Sequence, residues 1–311
     1  MSAPGRGRRD GKSVPAPNIF LGSRCNYDCL FCSGALLDKT QPPEVLRDII
    51  ASCPDTLSIE GGEPTLCRDL DIWVRRAHRQ GIRDIILCTN GARFCDEAYV
   101  RKLCDCGVTL FNVNFPAHEE KLFSILTRTS GQFQKRVAAL RTLIAVAGGK
   151  RVRLNMVVNR LNFLVIPQYV RFVKERFPEV FYIEFNLVKV LGRVERRPYL
   201  VPRLQDAAPV LVRALRYMTR ARMKFIIDGF PLCALDGYEH AAIDAAKRYF
   251  HDDLYLDEKA KTRKCAGCSL GGLCAGPRKD YVSLHGDLEL APSRKDPGPI
   301  IAKLQAMASK P

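Results

Sequence analysis

Cys25, Cys29 and Cys32 follow one another near the start of the sequence with the spacing C-x3-C-x2-C. No further cysteine lies close enough to complete the tetrahedral set that a structural zinc ion requires. Three thiolates on one short loop can instead hold a cubane iron–sulfur cluster, which leaves one iron free to bind another molecule. The spacing therefore predicts a metal site with one open position.

A second motif, Gly61-Gly62-Glu63-Pro64, follows about one strand–helix unit later and comes directly after the apolar run 57–59. Glycine has no Cβ, so the backbone at this turn can approach a ligand closely and adopt conformations that other residues avoid. A lone Gly-Gly pair indicates only a turn. The motif gains meaning from its order and distance after the three cysteines.

Taken together, the two motifs resemble the signatures of the radical S-adenosylmethionine (SAM) enzymes, including the aromatic Phe31 before the last cysteine. The resemblance implies that the three cysteines hold a 4Fe–4S cluster, and that the amino and carboxylate groups of SAM bind its free iron. Reductive cleavage of SAM then gives methionine and a 5′-deoxyadenosyl radical, which removes hydrogen from a substrate. The resemblance also implies that Gly61, Gly62 and Glu63 bind the methionine group, and that an electron donor such as flavodoxin or ferredoxin is needed.

Several asparagines lie where members of this family contact the ribose, the carboxylate or the adenine of SAM. Asn112, Asn155 and Asn159 are the candidates for SAM binding, and the stretch that holds Asn155 and Asn159 fits a strand of the family best. Asn90 and Asn114 stand in comparable positions. For each asparagine, a role in a turn or helix cap is the alternative.

A second group of cysteines, with the spacing C-x2-C-x5-C, consists of Cys265, Cys268 and Cys274, and Cys233 is the natural fourth thiolate. The group resembles the auxiliary-cluster regions of radical SAM enzymes, of the SPASM and shorter twitch types. Arg278 stands where the full SPASM pattern has a further cysteine, which favours one auxiliary 4Fe–4S cluster over two. Zinc is the alternative, because four cysteines also make a sound zinc site.

The pattern of apolar residues alternates between short strands and amphipathic helices, which predicts a parallel α/β sheet. Pattern alone does not separate a barrel from a doubly wound sheet. The resemblance implies a partial (β/α)6 radical-SAM barrel over residues 18–228, preceded by a flexible basic segment at 1–17 and followed by a small Cys-rich auxiliary-cluster region at 229–311. Both motifs then lie at the C-terminal strand ends, where parallel barrels carry their chemistry. Strands are predicted at 18–21, 56–59, 84–88, 108–113, 152–158, 181–188 and 224–227.

The chain has 13 cysteines, and its first residues carry arginines without the apolar region of a secretory signal. No apolar run approaches the roughly 20 residues that cross a bilayer. We therefore expect a cytoplasmic protein, not attached to a membrane, with reduced cysteines that serve metals. Six cysteines match no motif and are predicted to be small buried hydrophobic residues: Cys53, Cys67, Cys88, Cys95, Cys104 and Cys106.

The net charge of +16 favours an anionic partner. Nucleic acid is not favoured, because no binding motif accompanies the charge. Four arginines of the loop 193–203 are predicted either to hold an anion or to be solvated: Arg193, Arg196, Arg197 and Arg203.

The leading functional hypothesis is a radical SAM oxidoreductase or maturase that acts on a peptide or protein. The short stretch before Cys25 leaves no room for a leader-recognition domain, which weakens this hypothesis unless a partner protein supplies recognition. The second hypothesis is a radical SAM enzyme that acts on a small molecule or nucleotide. The third is an iron–sulfur protein that senses redox state on nucleic acid without catalysis, although such a sensor has no use for the Gly-Gly motif.

Overall fold

The computed structural model describes residues 17–35, 38–250 and 256–308. The prediction of a flexible basic segment at 1–17 falls, apart from Pro17, outside these residues. The described chain is built around one parallel sheet, and the region that follows the sheet packs against one of its ends.

Seven strands form the sheet, in the order β1 (Asn18–Phe20), β2 (Thr56–Glu60), β3 (Asp84–Thr89), β4 (Leu110–Asn114), β5 (Val152–Val158), β6 (Tyr182–Leu187) and β7 (Phe225–Asp228). Every neighbouring pair is parallel, and the order of the strands in space is their order in the chain. In the described part of the chain no strand joins β7 back to β1, so the barrel is open. This confirms the predicted α/β fold and partial barrel.

Helices connect the strands, because a parallel neighbour can be reached only through a crossover. They are α1 (Pro43–Ala51), α2 (Leu70–Arg79), α3 (Glu97–Cys106), α4 (Glu120–Thr127), α5 (Phe133–Ala147), α6 (Ile166–Arg176) and α7 (Leu204–Arg220). Their boundaries follow local signals: Pro43 opens α1, and Asp96 caps α3 by accepting a hydrogen bond from the Tyr99 amide. None of the described helices combines the length and apolar character needed to span a membrane.

The two faces of the sheet differ in chemistry, as β5 illustrates. Leu154 and Met156 are fully buried in the core, whereas the alternate residues Arg153 and Asn155 are only partly buried. Successive side chains of a strand point to opposite faces, so one face packs under the helices and the other is free to be polar. We call the second face the inner face, because Asn155 lines the main cavity described below.

One helix and the end of the chain differ from the prediction. Helix α4 was not predicted, because eight residues are too short to display a clear helical period. The region 229–311, predicted only as a small Cys-rich extension, contains α8 (Ile243–Phe250), α9 (Lys279–His285) and α10 (Gly298–Ala308). These helices are also short, and they alternate with turns.

Arg278 fastens the C-terminal region to the barrel. Its side chain is 1% exposed, and its guanidinium donates hydrogen bonds to the carbonyls of Leu187 (2.7 Å) and Val188 at the end of β6. The Asp280 carboxylate accepts from Arg278 Nε (3.0 Å) and from the Val190 amide (2.7 Å). The arginine that replaces an expected cysteine therefore has a structural role at the junction.

Replacing Arg278 by Met should lower the free energy of unfolding by about 3 kcal/mol, because two carbonyls and a carboxylate lose their buried donor. Urea denaturation measures the change. Arg294→Met is the matched control, since Arg294 is exposed, and it should change the free energy by less than about 0.5 kcal/mol. Equal effects of the two substitutions would show that the buried contacts of Arg278 contribute nothing.

Candidate functional site

The three N-terminal cysteines lie on one loop, residues 22–35, which we call the cysteine loop. It leaves the C-terminal end of β1 and is held from two sides. The amides of Asp28 and Leu30 donate to the last carbonyls of α4, at 3.1 and 2.9 Å. From the other side, Arg193 Nη1 donates to the Cys29 carbonyl at 3.0 Å. The helix that sequence reasoning missed thus fixes the position of the cysteine loop.

Cys25, Cys29 and Cys32 all line one open cavity of about 790 Å³ at the C-terminal ends of the strands, which we call the main cavity. Burial raises the pKa of the Cys29 thiol to about 12, and the neighbouring Cys32 and Cys25 raise it further. Three mutually close thiols at the edge of a cavity disfavour their own ionisation, whereas a bound metal ion stabilises the thiolates. The donor set therefore fits an iron–sulfur cluster.

The Gly-Gly motif is hydrogen-bonded to the cysteine loop. The Gly62 amide donates to the Gly22 carbonyl, and the Glu63 amide donates to the Arg24 carbonyl, both at 2.7 Å. A Cβ on Gly62 would lie 2.3 Å from the Arg24 carbonyl oxygen, so no larger residue fits without moving the loop. Gly61 and Gly62 also line the main cavity, so their predicted contact with SAM stays a prediction.

Glu63 is 3% exposed and does not line the main cavity. Its carboxylate accepts hydrogen bonds from the Thr65 hydroxyl, the Thr89 hydroxyl and the Asn90 amide, each at 2.6 Å. Thr89 and Asn90 belong to the end of β3 and the residue after it. Glu63 therefore ties the ends of two strands together, and its predicted contact with SAM stays a prediction.

Replacing Gly62 by Val should remove iron as well as SAM binding, because the new side chain collides with backbone carbonyls that directly precede Cys25. Iron content after anaerobic reconstitution measures the effect. The matched control is Gly34→Val in the same loop, where an added Cβ meets nothing within 4 Å and iron should be retained. Normal iron content in the Gly62 variant would limit the role of this turn to ligand contact.

Two of the three predicted asparagines reach the main cavity. Asn112 on β4 and Asn155 on β5 line it, and each has a buried Oδ1 atom without a hydrogen-bond partner among the described residues. Buried acceptors without partners are costly in a folded protein unless a ligand or water satisfies them. These two side chains therefore fit the hydroxyl or amino groups of a bound molecule.

Asn159 is a correction to the prediction. It is fully buried and does not line the main cavity. Its Nδ2 donates to the Val157 carbonyl at 3.0 Å, and its Oδ1 accepts from the Leu161 amide at 3.0 Å. Asn159 therefore stabilises the turn after β5, and its polar atoms are satisfied within that turn.

Sequence reasoning missed several polar residues of the inner face. Glu60 and Cys88 line the main cavity, and Asn112 Nδ2 donates to Cys88 Sγ at 3.6 Å. Burial raises the pKa of Glu60. Deeper in the sheet, Arg153 Nε lies 3.2 Å from Glu184 Oε2 in a buried ion pair. These residues could have been found in the sequence, because polar residues recur at every second position of otherwise apolar strands.

Two of the four arginines in the loop 193–203 form ion pairs within the chain. Arg193 forms an ion pair with Asp28, which also pairs with Arg128 at 2.8 Å. Arg203 pairs with Glu289 at 2.6 Å. These two arginines stabilise the cysteine loop and the C-terminal region, whereas an anion-binding role of Arg196 and Arg197 stays a prediction.

The four C-terminal cysteines meet around a second pocket, although Cys233 is far from the other three in the sequence. The pocket is lined by Cys233, Cys265, Cys268 and Cys274 together with apolar residues such as Leu270. Partial burial of its sulfur raises the pKa of Cys233 to about 11, and the other three cysteines raise it further. All four cysteines therefore border the same small pocket. We call this group the four-cysteine site.

Hydrogen-bond donors face the sulfurs of the four-cysteine site. The Ser293 amide donates to Cys268 Sγ at 3.2 Å, and the Gly276 amide donates to Cys274 Sγ at 3.4 Å. The Ala291 amide donates to Cys233. Such bonds favour the thiolate form and tune the potential of an iron–sulfur cluster. Among the described residues no three His, Cys, Asp or Glu side chains converge on a single metal ion, at this site or elsewhere.

Part of the chain matches a known protein family. Residues 19–162 match the family model "Radical SAM superfamily", which covers both N-terminal motifs and ends before the four-cysteine site. Residues 19–162 are therefore similar to the radical SAM domain that the two motifs predicted. The SPASM-like or twitch-like character of the C-terminal region stays a prediction.

Individual proteins and solved structures are similar to this chain in sequence or in fold. A "Probable GTP 3′,8-cyclase" of Saccharolobus islandicus (strain Y.N.15.51 / Yellowstone #2) is 32% identical over 161 residues, 50% of this chain and 51% of that protein. The match thus spans about half the length of the curated relative. The structure "Native anSMEcpe with bound AdoMet" is 13% identical and superposes with a TM-score of 0.60 over 94% of this chain and 95% of that one. "Streptococcus suis SuiB bound to S-adenosylmethionine" gives a TM-score of 0.52 at 18% identity, over 68% of this chain and 46% of that one. These structures support the fold.

Proposed function

We propose that this protein is a radical SAM enzyme, with Cys25, Cys29 and Cys32 as ligands of a 4Fe–4S cluster. The observation that carries the proposal is the meeting of these cysteines with Gly61 and Gly62 in one cavity at the C-terminal strand ends. When bound, the cluster and SAM supply a 5′-deoxyadenosyl radical that removes a hydrogen atom from the substrate.

The residues that line the main cavity have different roles in this proposal. The cysteine loop holds the metal, and the Gly61–Gly62 backbone offers close approach to the methionine part of SAM. Asn112 and Asn155 offer unpartnered oxygen acceptors to hydroxyl or amino groups. The inner face around Glu60 and Cys88 is then left for the substrate, deeper in the barrel and away from bulk water.

For the substrate, we propose a nucleotide or another small polar molecule, in preference to the peptide or protein that the sequence analysis favoured. The support comes from the curated relatives, which are named as probable GTP 3′,8-cyclases. The polar inner face suits such a molecule, because amide and carboxylate groups can bind a base or a sugar. A peptide is supported here only by structures of low identity, which inform on the fold alone.

The charged side chains that line the main cavity leave few free cations for the phosphates of a nucleotide. Arg128 and Arg193 both pair with Asp28, so neither is free for a phosphate in this arrangement. Lys39 is the remaining cation in the lining, beside the exposed Asp38. A triphosphate would have to displace Asp28 from its arginines. We therefore expect the base and sugar to contribute more to binding than the phosphates.

We further propose that the four-cysteine site holds an auxiliary 4Fe–4S cluster. Its support is the meeting of Cys233 with Cys265, Cys268 and Cys274, and the amide hydrogen bonds to their sulfurs. When bound there, a cluster with four protein ligands supplies a one-electron acceptor or donor. Arg278 keeps this site in a fixed place relative to the barrel.

Deuterium transfer tests the substrate class. Reconstituted protein, SAM and dithionite are incubated with GTP or ATP deuterated in the ribose, and with a mixture of short deuterated peptides as the comparison. We expect one deuterium in 5′-deoxyadenosine with a nucleotide and none with the peptides, measured by mass spectrometry. Transfer from peptides alone would restore the earlier interpretation. SAM cleavage without any substrate separates a wrong substrate class from a failure of the radical SAM assignment.

A further inference from the structure

A groove runs along α7 to the four-cysteine site. It has a volume of about 510 Å³ and lies between α7 and the C-terminal region. Its apolar floor includes the buried residues Val212 and Leu290, the exposed Pro209 continues the apolar lining, and Cys233 also lines the groove. We call it the α7 groove. Cys233 also lines the four-cysteine site, and it is the exposed member of the four cysteines. The α7 groove is therefore a route from the protein surface to that site.

The rim of the α7 groove carries positive charge that is not neutralised. Arg213 and Arg216 line it, and Arg220 continues the same exposed face of the helix, because residues three and four positions apart are neighbours on a helix. Within the described ranges 17–35, 38–250 and 256–308, no acidic side chain forms an ion pair with any of these three arginines. Lys295 and, to a smaller extent, Arg216 lower the pKa of Asp236, whose carboxylate forms its ion pair with Lys295.

The acidic residues of the groove are already paired. Asp236 forms an ion pair with Lys295 at 2.7 Å, and Glu289 pairs with Arg203 at 2.6 Å. The acids thus carry their own counter-charges, whereas the arginines of α7 do not. The groove presents an apolar floor beside a positive rim. This combination suits a negatively charged protein that binds briefly, because opposite charges speed the encounter and a small apolar contact allows release.

We propose that the α7 groove is the docking surface for an acidic one-electron carrier protein, which exchanges an electron with the auxiliary cluster next to Cys233. The inference rests on the proposed auxiliary cluster. A cluster held by Cys233, Cys265, Cys268 and Cys274 would supply one electron to an oxidised carrier or accept one from a reduced carrier, and no covalent bond would form or break. The exposed position of Cys233 makes this the short way out of the four-cysteine site.

Charge reversal on α7 tests the proposal. The double variant Arg213→Glu/Arg216→Glu is compared with Arg76→Glu/Arg79→Glu, which changes two exposed arginines at the same spacing on α2. The control helix packs against α3 and β3, away from the α7 groove. The probe is an acidic plant-type 2Fe–2S ferredoxin, and its Kd for the reconstituted holoprotein is measured by calorimetry at low and at moderate salt.

We expect the α7 variant to weaken ferredoxin binding at least tenfold at low salt and to lose most of the salt dependence, while the α2 variant binds like the wild type. Equal weakening in both variants would show a general charge effect and overturn the proposal. Binding of a 20-nucleotide RNA that needs the same two arginines, with no binding of ferredoxin, would assign the surface to nucleic acid instead.

Two further measurements on the same preparations keep this test separate from the proposed function. Iron content and dithionite-driven SAM cleavage should be unchanged in both double variants, because neither arginine pair lines the four-cysteine site or the main cavity. If the wild-type protein lacked the second set of irons, there would be no auxiliary cluster, and the docking proposal that rests on it would fail as well. If the wild-type protein had its full iron content but the α7 variant bound ferredoxin as well as the wild type does, the proposed docking surface alone would be overturned.

Discussion

Cys29→Ala should abolish SAM cleavage, with a loss of at least about 100-fold in the rate of 5′-deoxyadenosine formation. Cys29 is the middle one of the three cysteines of the cysteine loop, and it lines the main cavity together with Cys25 and Cys32. Two remaining thiolates cannot hold a cubane in place, so iron at this site should be lost together with the activity. Anaerobic reconstitution, iron analysis and chromatography of 5′-deoxyadenosine measure both effects.

The matched control for this prediction is Cys95→Ala. Cys95 is exposed, donates a hydrogen bond to the Lys135 carbonyl, and lines neither the main cavity nor the four-cysteine site. It should keep its iron and its activity. If the Cys29 variant retained both, the cysteine loop would not be the SAM site, and the interpretation as an iron–sulfur sensor without SAM would gain.

Much of the N-terminal site could be predicted because its motifs are local. Cys25, Cys29 and Cys32 lie on one loop, and Gly61 and Gly62 lie on one turn. The carboxyl ends of adjacent parallel strands meet at one edge of a sheet. Predicting β1 and β2 was therefore enough to bring the two motifs together, and the main cavity has the lining that this requires.

Asn159 shows where strand periodicity stops being informative. Asn155 and Asn159 are separated by four residues, so a continuous strand would place both on the inner face. However, β5 ends at Val158, and Asn159 turns away to accept and donate hydrogen bonds within its own loop. The end of a strand depends on the packing of the residues that follow it, which the pattern of a single segment does not contain.

Contacts between distant segments were beyond the reach of the sequence for a similar reason. Arg278 was recognised only as a missing cysteine, whereas its role at the end of β6 depends on a junction that no local pattern describes. Helix α4 is too short for a period, yet its last carbonyls hold the cysteine loop. Cys233 lines the same pocket as Cys265, Cys268 and Cys274, and the sequence could suggest it as their partner because metal sites require a fixed number of ligands, a chemical rule that works across sequence distance.

Cys268→Ala should separate the two metal sites. If the four-cysteine site holds an auxiliary cluster, reconstituted wild-type protein should contain about eight irons per chain, four for each cubane. The variant should fall to about half of this value, because Cys268 lines only the second site. It should still cleave SAM, since the cysteine loop is held by β1, β2 and α4. Turnover of the true substrate should be lost, because the one-electron acceptor is missing.

Zinc at the four-cysteine site predicts a different result for the same experiment. Wild-type protein would then contain about four irons and one zinc per chain, and Cys268→Ala would lose the zinc alone. Cys104→Ala is the control, because Cys104 lines neither site and should leave both metals unchanged. Elemental analysis of anaerobic preparations distinguishes the two outcomes. A zinc result would leave SAM cleavage in place and would remove electron exchange at Cys233, and with it the reason for a carrier to dock in the α7 groove.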